Sequence, residues 1–170
     1  MTGLSGAGKS TIATALVDRL AKESSRRVSL LDGDVIRKIL SSELGYSREH
    51  RDLNILRVGY VASEITKHGG IAVCAVIAPY VAMRRQVRSM IGQHGDFVEV
   101  YVSTPLKVCE QRDPKGLYSK ARAGLIKQFT GVNDPYEAPT NAEIVLDASR
   151  LSVQESTERI MHHISQAGHL

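Results

Sequence analysis

The segment Gly3–Ser10, Gly-Leu-Ser-Gly-Ala-Gly-Lys-Ser, constrains this chain more than any other stretch. It matches G-x-x-x-x-G-K-[ST], a pattern in which glycines let successive backbone N–H groups turn toward one point and a lysine adds positive charge there. Directly after it, apolar residues at helical spacing predict a helix from Lys9 to about Lys22. A loop at a helix N-terminus binds phosphate groups, so the sequence predicts a site for a nucleoside triphosphate.

The rest of the chain alternates between strand and helix patterns. Strands are predicted within 26–34, 71–80, 96–102 and 142–147, and helices at about 34–42, 50–68, 81–93, 105–111 and 152–167. The apolar run 71–80 is typical of a parallel strand buried on both faces. This alternation predicts an α/β fold of the P-loop NTPase type, a three-layer sandwich with a mostly parallel sheet and helices on both faces.

Two segments depart from that alternation. Residues 112–139 are rich in Gly, Pro and charge, which predicts a mobile loop or lid. At the other end, only Met1 and Thr2 precede the glycine loop, although such a loop normally leaves a buried parallel strand. We therefore expect residues 1–170 to form one domain whose N-terminal strand is missing, as in a domain cut from a longer chain.

Composition excludes several classes of protein. A chain of 170 residues with 42% hydrophobic residues can bury the core of one domain. The formal net charge is +4, but the basic residues form no dense block, which favours small anionic substrates over nucleic acid. Cys74 and Cys109 lack the spacing of a zinc site, and their number suits a reducing cytoplasm. No stretch has the roughly 18 to 20 apolar residues of a membrane span.

An acidic pair follows the first predicted strand. Asp32 and Asp34 lie 23 and 25 residues beyond Lys9, where the carboxyl end of a parallel strand faces the ligand crevice. The guanine-reading N-K-x-D element of GTPases does not occur. Phosphoryl transfer to a hydroxyl group needs a carboxylate, positive charge for an anionic acceptor, and a cover against water. The sequence supplies candidates for the charge and the cover at Arg37, Arg51, Asn54, Arg112, Lys115 and Lys120.

These residues resemble the adenylylsulfate kinase (APS kinase) family. The resemblance is carried, in family order across essentially the whole chain, by GLSGAGKST (3–11), LDGD (31–34) followed by Arg37, LGYS (44–47), HRDLNI (50–55), IAPY (77–80), EVYVSTPLKVCEQRDPKGLYSKARAG (99–124) and FTGVNDPYEAP (129–139). It implies an enzyme that transfers the γ-phosphate of ATP to the 3′-hydroxyl of adenosine 5′-phosphosulfate (APS), giving 3′-phosphoadenosine 5′-phosphosulfate (PAPS) and ADP during sulfate assimilation.

The resemblance implies roles for residues near ATP. Asp34 is expected to act as the base or to orient the hydroxyl, and Asp32 to belong to the water-mediated shell of Mg²⁺, although these two assignments could be reversed. Lys9 joins the two acids as a catalytic residue, and Ser10 is expected to bind the metal. The expected ATP contacts are Gly3, Ser5, Gly6, Ala7, Gly8, Lys9, Ser10, Thr11 and Arg112, with Arg112 near the adenine.

It also implies an acceptor site. Tyr46 matches an aromatic position, usually Phe, that stacks on the substrate adenine, while Arg37, Arg51 and Asn54 match positions that hold the phosphosulfate. The other expected contacts are Asp34, Ile77, Ala78, Lys120 and Phe129.

The chain departs from the family pattern at two positions. Ala78 replaces the serine of the common ISPY, so a phosphoserine cannot form there and transfer must be direct. Val35 replaces the asparagine of the common DGDN, which removes one side-chain amide.

Two other functions stay open at this point. Some fused ATP sulfurylases keep an inactive kinase-like domain that binds PAPS as a regulator, and another small-metabolite kinase would also use the glycine loop. The intact Lys9, Ser10, Asp32 and Asp34 argue against the first function. The resemblance further implies a homodimer and a fused or associated ATP sulfurylase, with no nucleic-acid or membrane partner.

Overall fold

The computed structural model describes residues 1–168. Within that range the helices are α1 (Lys9–Glu23), α2 (Gly33–Ile39), α3 (Arg48–Lys67), α4 (Val81–Ile91), α5 (Leu106–Arg112), α6 (Leu117–Arg122) and α7 (Val153–Gln166). The strands are β1 (Val28–Asp32), β2 (Ile71–Ala75), β3 (Val100–Val102) and β4 (Ile144–Leu146).

The strands form two parallel pairs that the first two residues join. β1 pairs with β2 from Val28 opposite Ile71, and β3 pairs with β4. Met1 accepts a hydrogen bond from Val76 N on the β2 side (3.3 Å), while Thr2 exchanges backbone bonds with β3, donating to Val100 O and accepting from Val102 N at 2.9 Å each. The spatial order is therefore β1, β2, residues 1–2, β3, β4, with every pairing parallel.

Helices cover both faces of this sheet, as the sequence predicted. On one face α1 and α7 pack together over a cluster that includes Ile12, Leu16, Leu146 and Ile160. On the other face α3 and α4 pack over Leu31, Val58 and Val87. The helix starts are fixed locally, because Ser47 caps α3 and Ser152 with Glu155 forms a capping box at α7. The three-layer prediction is thus confirmed.

Some boundaries differ from the predictions. The strand predicted at 71–80 ends at Ala75, and its burial is partial, since Ile71, Ala72 and Cys74 are only half-buried. Near β2 lies a cavity of about 270 Å³ whose walls include Met1, Val73 and Val98. Ile71, Ala72 and Cys74 also line this cavity, and they are therefore only half-buried. Segment 112–139 is not all loop, because α6 forms inside it.

The N-terminal nitrogen lies deep in the same region. Met1 N donates to Cys74 O at 2.7 Å, and burial lowers the pKa of this ammonium group below its ordinary value. As for membranes, none of the helices within residues 1–168 combines the length and apolar character needed to cross one.

Candidate active site

A cavity of about 730 Å³ opens at the carboxyl ends of the strands. One wall, here called the loop side, consists of residues 5–6 and 8–12 with Arg112, Ala148 and Leu151. The opposite wall, called the helix side, consists of side chains from α2, α3 and the segments 46, 77–79 and 129–130. Asp32 and Asp34 lie between the two walls, at the end of β1 and the start of α2.

The loop side is shaped by backbone conformations that need glycine. Gly6 and Gly8 adopt φ angles of 71° and 110°, in the left-handed region. Gly3 has φ 147°, and a Cβ there would lie 2.5 Å from the carbonyl oxygen of Val102. The glycine at position 3 therefore lets the loop leave the sheet against β3, while the other two turn the loop into the start of α1.

Lys9 begins α1 and folds back over its own loop. Its Nζ donates to Leu4 O at 2.6 Å, and the residue is 8% exposed. Burial lowers the pKa of Lys9 from 10.5 to about 8. A phosphate bound in the loop would act as the counter-ion for this desolvated ammonium group.

Neighbouring elements brace the loop. Thr104 donates to Ala7 O at 2.8 Å, and the Tyr118 hydroxyl donates to Ser5 O at 3.0 Å. Arg112 donates to Gly6 O (3.3 Å) and to Ala148 O (2.6 Å), so it crosses the mouth of the loop from α5 to the segment after β4. The loop's shape therefore depends on residues 97 to 113 positions away in sequence.

Ser10 and Asp32 form the metal-binding candidate. Ser10 Oγ donates to Asp32 Oδ2 at 2.6 Å, and Asp32 Oδ1 caps α2 by accepting from Asp34 N at 2.9 Å. Partial burial raises the pKa of Asp32, but hydrogen bonds from Ser10 and the α2 backbone outweigh it, and the pKa falls below its ordinary value. A hydroxyl beside an ionised carboxylate suits Mg²⁺, which binds few protein oxygens and fills its shell with phosphate and water.

Asp34 has a lysine as its partner. Lys115, which precedes α6, contacts Asp34 Oδ2 across the cavity, and both side chains are about half exposed. Such an exposed pair is weak and readily exchanged. Asp34 is thus accessible to a ligand hydroxyl once Lys115 moves to another anion.

Arg37 and Tyr46 form the outer part of the helix side. The Arg37 guanidinium lies 4.8 Å from the centre of the Tyr46 ring and donates to Gly45 O at 2.8 Å. The Tyr46 residue is 61% exposed. An exposed ring with a cation on one face suits stacking of a planar ligand on its other face.

Arg51 and Asn54 lie deeper, one turn apart on α3, and both are buried. Arg51 Nε donates to Tyr46 O at 2.9 Å, Nη1 pairs with Asp134 at 2.7 Å, and further contacts reach Thr130 and Gln128 O. Among the described residues Asn54 Oδ1 has no hydrogen-bond partner. A buried amide with an open acceptor on a cavity wall is a candidate for binding a ligand.

The segment after β2 is strained at Ala78. Its φ of 42° lies in the left-handed region, which costs a non-glycine residue on the order of 1 kcal/mol or more. Thr2 Oγ1 donates to Ile77 O at 2.6 Å and Arg84 donates to Ala78 O at 2.8 Å. These bonds hold the Ile77–Ala78 backbone on the cavity wall.

The structure brings most predicted site residues to this one cavity. Its lining includes Ser5, Gly6, Gly8, Lys9, Ser10, Thr11, Asp32, Asp34, Arg37, Tyr46, Arg51, Asn54, Ile77, Ala78, Arg112 and Phe129. Gly3 and Ala7 lie behind the loop, buried, and Lys120 is exposed on α6 away from the lining. The roles predicted for the site residues stay predictions.

Sequence reasoning did not place Pro114, Thr130, Ala148 and Leu151 in the site, although all four line the cavity. They come from connecting segments whose local pattern carries no chemical signal. Their position follows only from the way those segments cross the strand ends.

Comparisons with known proteins agree with this geometry. The sequence model of the family described as adenylylsulphate kinase matches residues 1–147. The adenylyl-sulfate kinase of Gloeothece citriformis is 50% identical over 170 residues, covering 100% of this chain and 94% of that protein. The sulfate adenylyltransferase of Aspergillus oryzae is 51% identical over 161 residues, covering 95% of this chain but 28% of that enzyme.

Among solved structures, the Mycobacterium tuberculosis APS kinase in complex with AMPPNP and APS superposes with a TM-score of 0.91 at 38% identity, covering 96% of this chain and 94% of that one. The family model and the full-length relative together decide the assignment. This chain belongs to the adenylylsulfate kinase family.

Proposed function

We propose that this chain transfers the γ-phosphate of ATP to the 3′-hydroxyl of APS, producing PAPS and ADP. The observation that carries the proposal is one cavity with a phosphate-binding loop on one wall, the buried Arg51 and Asn54 on the other wall, and Asp34 between them. Family membership supports the same reaction. The solved Mycobacterium tuberculosis relative is in complex with AMPPNP and APS, which is the pair of ligands that two walls of this kind would take.

The loop side binds the donor. Backbone N–H groups of residues 6–11 and the N-terminus of α1 face the β- and γ-phosphates, and Lys9 adds a charge that burial has left unsolvated. Arg112 and Ala148 extend this wall toward the nucleoside. ATP use follows from this wall together with the family.

The helix side orients the acceptor. Tyr46 offers a ring for the adenine, while Arg37 and the side-chain N–H groups of Asn54 donate to the phosphosulfate. Asp34 accepts the proton of the attacking hydroxyl, or fixes that hydroxyl in line with the γ-phosphorus. Lys115 leaves its ion pair with Asp34 and binds the transferring phosphoryl group, so that the lysine charge stabilises the negative charge that develops there.

Ser10 and Asp32 would hold Mg²⁺ at the phosphates, directly and through water respectively. When bound, Mg²⁺ neutralises the charge that builds up between the β- and γ-phosphates. Ser10 is held in place as the second residue of α1, directly after Lys9. Asp32 is held in place because Ser10 and the α2 backbone donate to both of its oxygens.

We further propose a homodimer that works with ATP sulfurylase in the cytoplasm. The Aspergillus oryzae relative, a sulfate adenylyltransferase, matches nearly all of this chain with about a quarter of its own length, which supports a working partnership between the two activities. Cys74 and Cys109 are both free thiols, which suits a reducing compartment.

A coupled assay of ADP release tests the function. ATP is supplied with APS, and in parallel with AMP, gluconate or shikimate as acceptors. We expect turnover with APS alone and formation of PAPS. Turnover of another acceptor with none of APS would refute the assignment. Tight PAPS binding without turnover would instead favour the regulatory domain considered from the sequence.

A further inference from the structure

The segment 128–134 is fastened to α3 through one guanidinium group. Arg51 on α3 contacts Gln128 O and the Thr130 hydroxyl, and its Nη1 lies 2.7 Å from Asp134 Oδ2. The side chains of Arg51 and Asp134 are 8% and 19% exposed. A buried arginine of this kind needs a counter-ion, and Asp134 supplies it.

Asp134 is itself held in place. The Tyr80 hydroxyl donates to its Oδ2 at 2.8 Å, and Tyr80 is 1% exposed. Burial and the neighbouring carboxylate raise the pKa of Tyr80 to about 12, so this hydroxyl stays protonated and donating at any physiological pH. The guanidinium of Arg48 lies 4.5 Å from the centre of the Tyr80 ring. The Arg51–Asp134 pair therefore sits in a preorganised frame rather than on a mobile surface.

The turn that contains Asp134 begins at Phe129, which lines the cavity. Asp134 N donates to Phe129 O at 3.2 Å, closing a turn over residues 129–134. The Phe129 ring packs edge-on against Tyr118 of α6, with ring centres 4.9 Å apart. Phe129 is thus fixed from one side by α6 and from the other by the turn that Asp134 completes.

Arg51 is correspondingly short of free donors. Its Nε, Nη1 and Nη2 atoms all contact protein oxygens, on Tyr46, Thr130, Asp134 and Gln128. It joins the Tyr46 loop to the Phe129 turn, the two places that contribute aromatic rings to the helix side.

We propose that Asp134 is a positioning residue for the acceptor: by pairing with Arg51 it makes that side chain a clamp that holds Tyr46 and Phe129 at the cavity. The proposal rests on the function proposed above. A positioning role and a simple charge effect predict opposite changes in acceptor affinity when Asp134 is removed. If Asp134 only offset the charge of Arg51, its removal would strengthen binding of an anionic acceptor; as a positioning residue, its removal weakens that binding.

Steady-state kinetics of Asp134→Asn test this. We expect KM for APS to rise about tenfold or more and KM for ATP to change less than about twofold, because ground-state positioning of one substrate is lost. We also expect kcat to fall by a smaller factor than kcat/KM for APS. Glu143→Gln is the matched control, since Glu143 pairs with Arg88 at 2.8 Å outside the cavity lining. We expect that control to leave both KM values unchanged.

Tyr80→Phe keeps the ion pair and removes one hydrogen bond from Asp134, so it should raise KM for APS by about two- to fivefold. Tyr80→Phe also tests the proposal if Asp134→Asn does not fold. The inference is overturned if KM for APS is unchanged or lower in these variants, or if both KM values rise together. A wild-type protein that does not turn over APS would refute the proposed function instead, which keeps the two failures distinct.

Discussion

The two walls of the cavity are built in different ways. The loop side is built mainly from one contiguous segment within residues 5–12, whose backbone N–H groups and one lysine face the ligand, with Arg112, Ala148 and Leu151 beside it. The helix side assembles side chains from separate segments, with Arg51 connecting two of them. A wall made mostly of backbone tolerates side-chain changes that leave its glycines and its lysine intact, whereas a wall made of side chains depends on each partner.

The largest effect is expected for Lys9→Ala. This change removes the charge that the loop side directs at the β- and γ-phosphates, so kcat should fall about 10³-fold or more. The thermal midpoint should stay within a few degrees, because the removed ammonium is buried and poorly solvated. A loss of activity smaller than about tenfold would show that backbone groups alone bind the donor.

Asp34→Asn should come next. It keeps the shape of the side chain but removes the proton acceptor, so kcat should fall about 10²- to 10³-fold while KM for ATP is preserved. Asp32→Asn distinguishes the role of Asp32 from that of Asp34, because it should raise the Mg²⁺ concentration needed for half-maximal rate. If Asp34→Asn shows the Mg²⁺ effect and Asp32→Asn the pure kcat effect, the two roles are reversed.

Lys115→Met should lower kcat about tenfold, since one mobile charge over the phosphoryl group is lost from an exposed position. KM for APS should not rise, because the freed Asp34 is easier for the hydroxyl to reach. Lys127→Met is the matched control on the same segment, because Lys127 is exposed and lies outside the cavity lining. Equal losses in both variants would indicate a general lid charge instead.

The lowered pKa of Lys9 predicts linked proton uptake. Above pH 8 the ligand-free side chain is largely neutral, and ATP phosphates restore its proton, so binding at pH 8.5 should take up protons. Without ligand, the unfolded chain binds this proton up to pH 10.5 and the folded chain only to about 8, so the free energy of unfolding rises between these values. Calorimetry in two buffers of different ionisation enthalpy measures the uptake, which Lys9→Arg should abolish.

The smallest effect on activity is expected where the loop side leaves the sheet. We propose that the cavity of about 270 Å³ beside Met1 accepts an extended apolar segment between β2 and β3. Adding about five Val and Ile residues before Met1 should stabilise the fold by about 2–4 kcal/mol and raise the thermal midpoint by about 5–10 °C. It should leave KM for APS unchanged.

An extension of the same length made of Gly and Ser is the control for that experiment, because it converts the buried ammonium to an amide without filling the cavity. Equal midpoints for the two extensions would contradict the proposal. A change in KM for APS would show that the two walls are not independent.

The sequence predicted the loop side almost completely. A phosphate loop is local: Gly6, Gly8 and Lys9 lie within four residues, and the two glycines permit the left-handed backbone angles that the loop adopts. The alternation of strands and helices also followed from periodicity, and the three-layer arrangement was confirmed. The α6 helix was missed because Gly116 and Gly124 bracket a run of only six helical residues. The strand ends were placed too late because pairing, not apolar character, ends a strand.

Local pattern offered Arg37, Arg51 and Asn54 of the helix side only as candidates for binding an anionic acceptor, and family resemblance was needed to assign them to one substrate. Local pattern cannot show that Asp134 pairs with Arg51 across 83 positions, or that Lys115 meets Asp34 across 81. It also cannot show that Lys120 lies outside the cavity lining, because that depends on how α6 packs against Phe129. What the sequence alone determined is the chemistry carried by one short segment and the order of its elements. The tertiary structure decided which distant side chains share a cavity, because burial and ion pairing act through space and not along the chain.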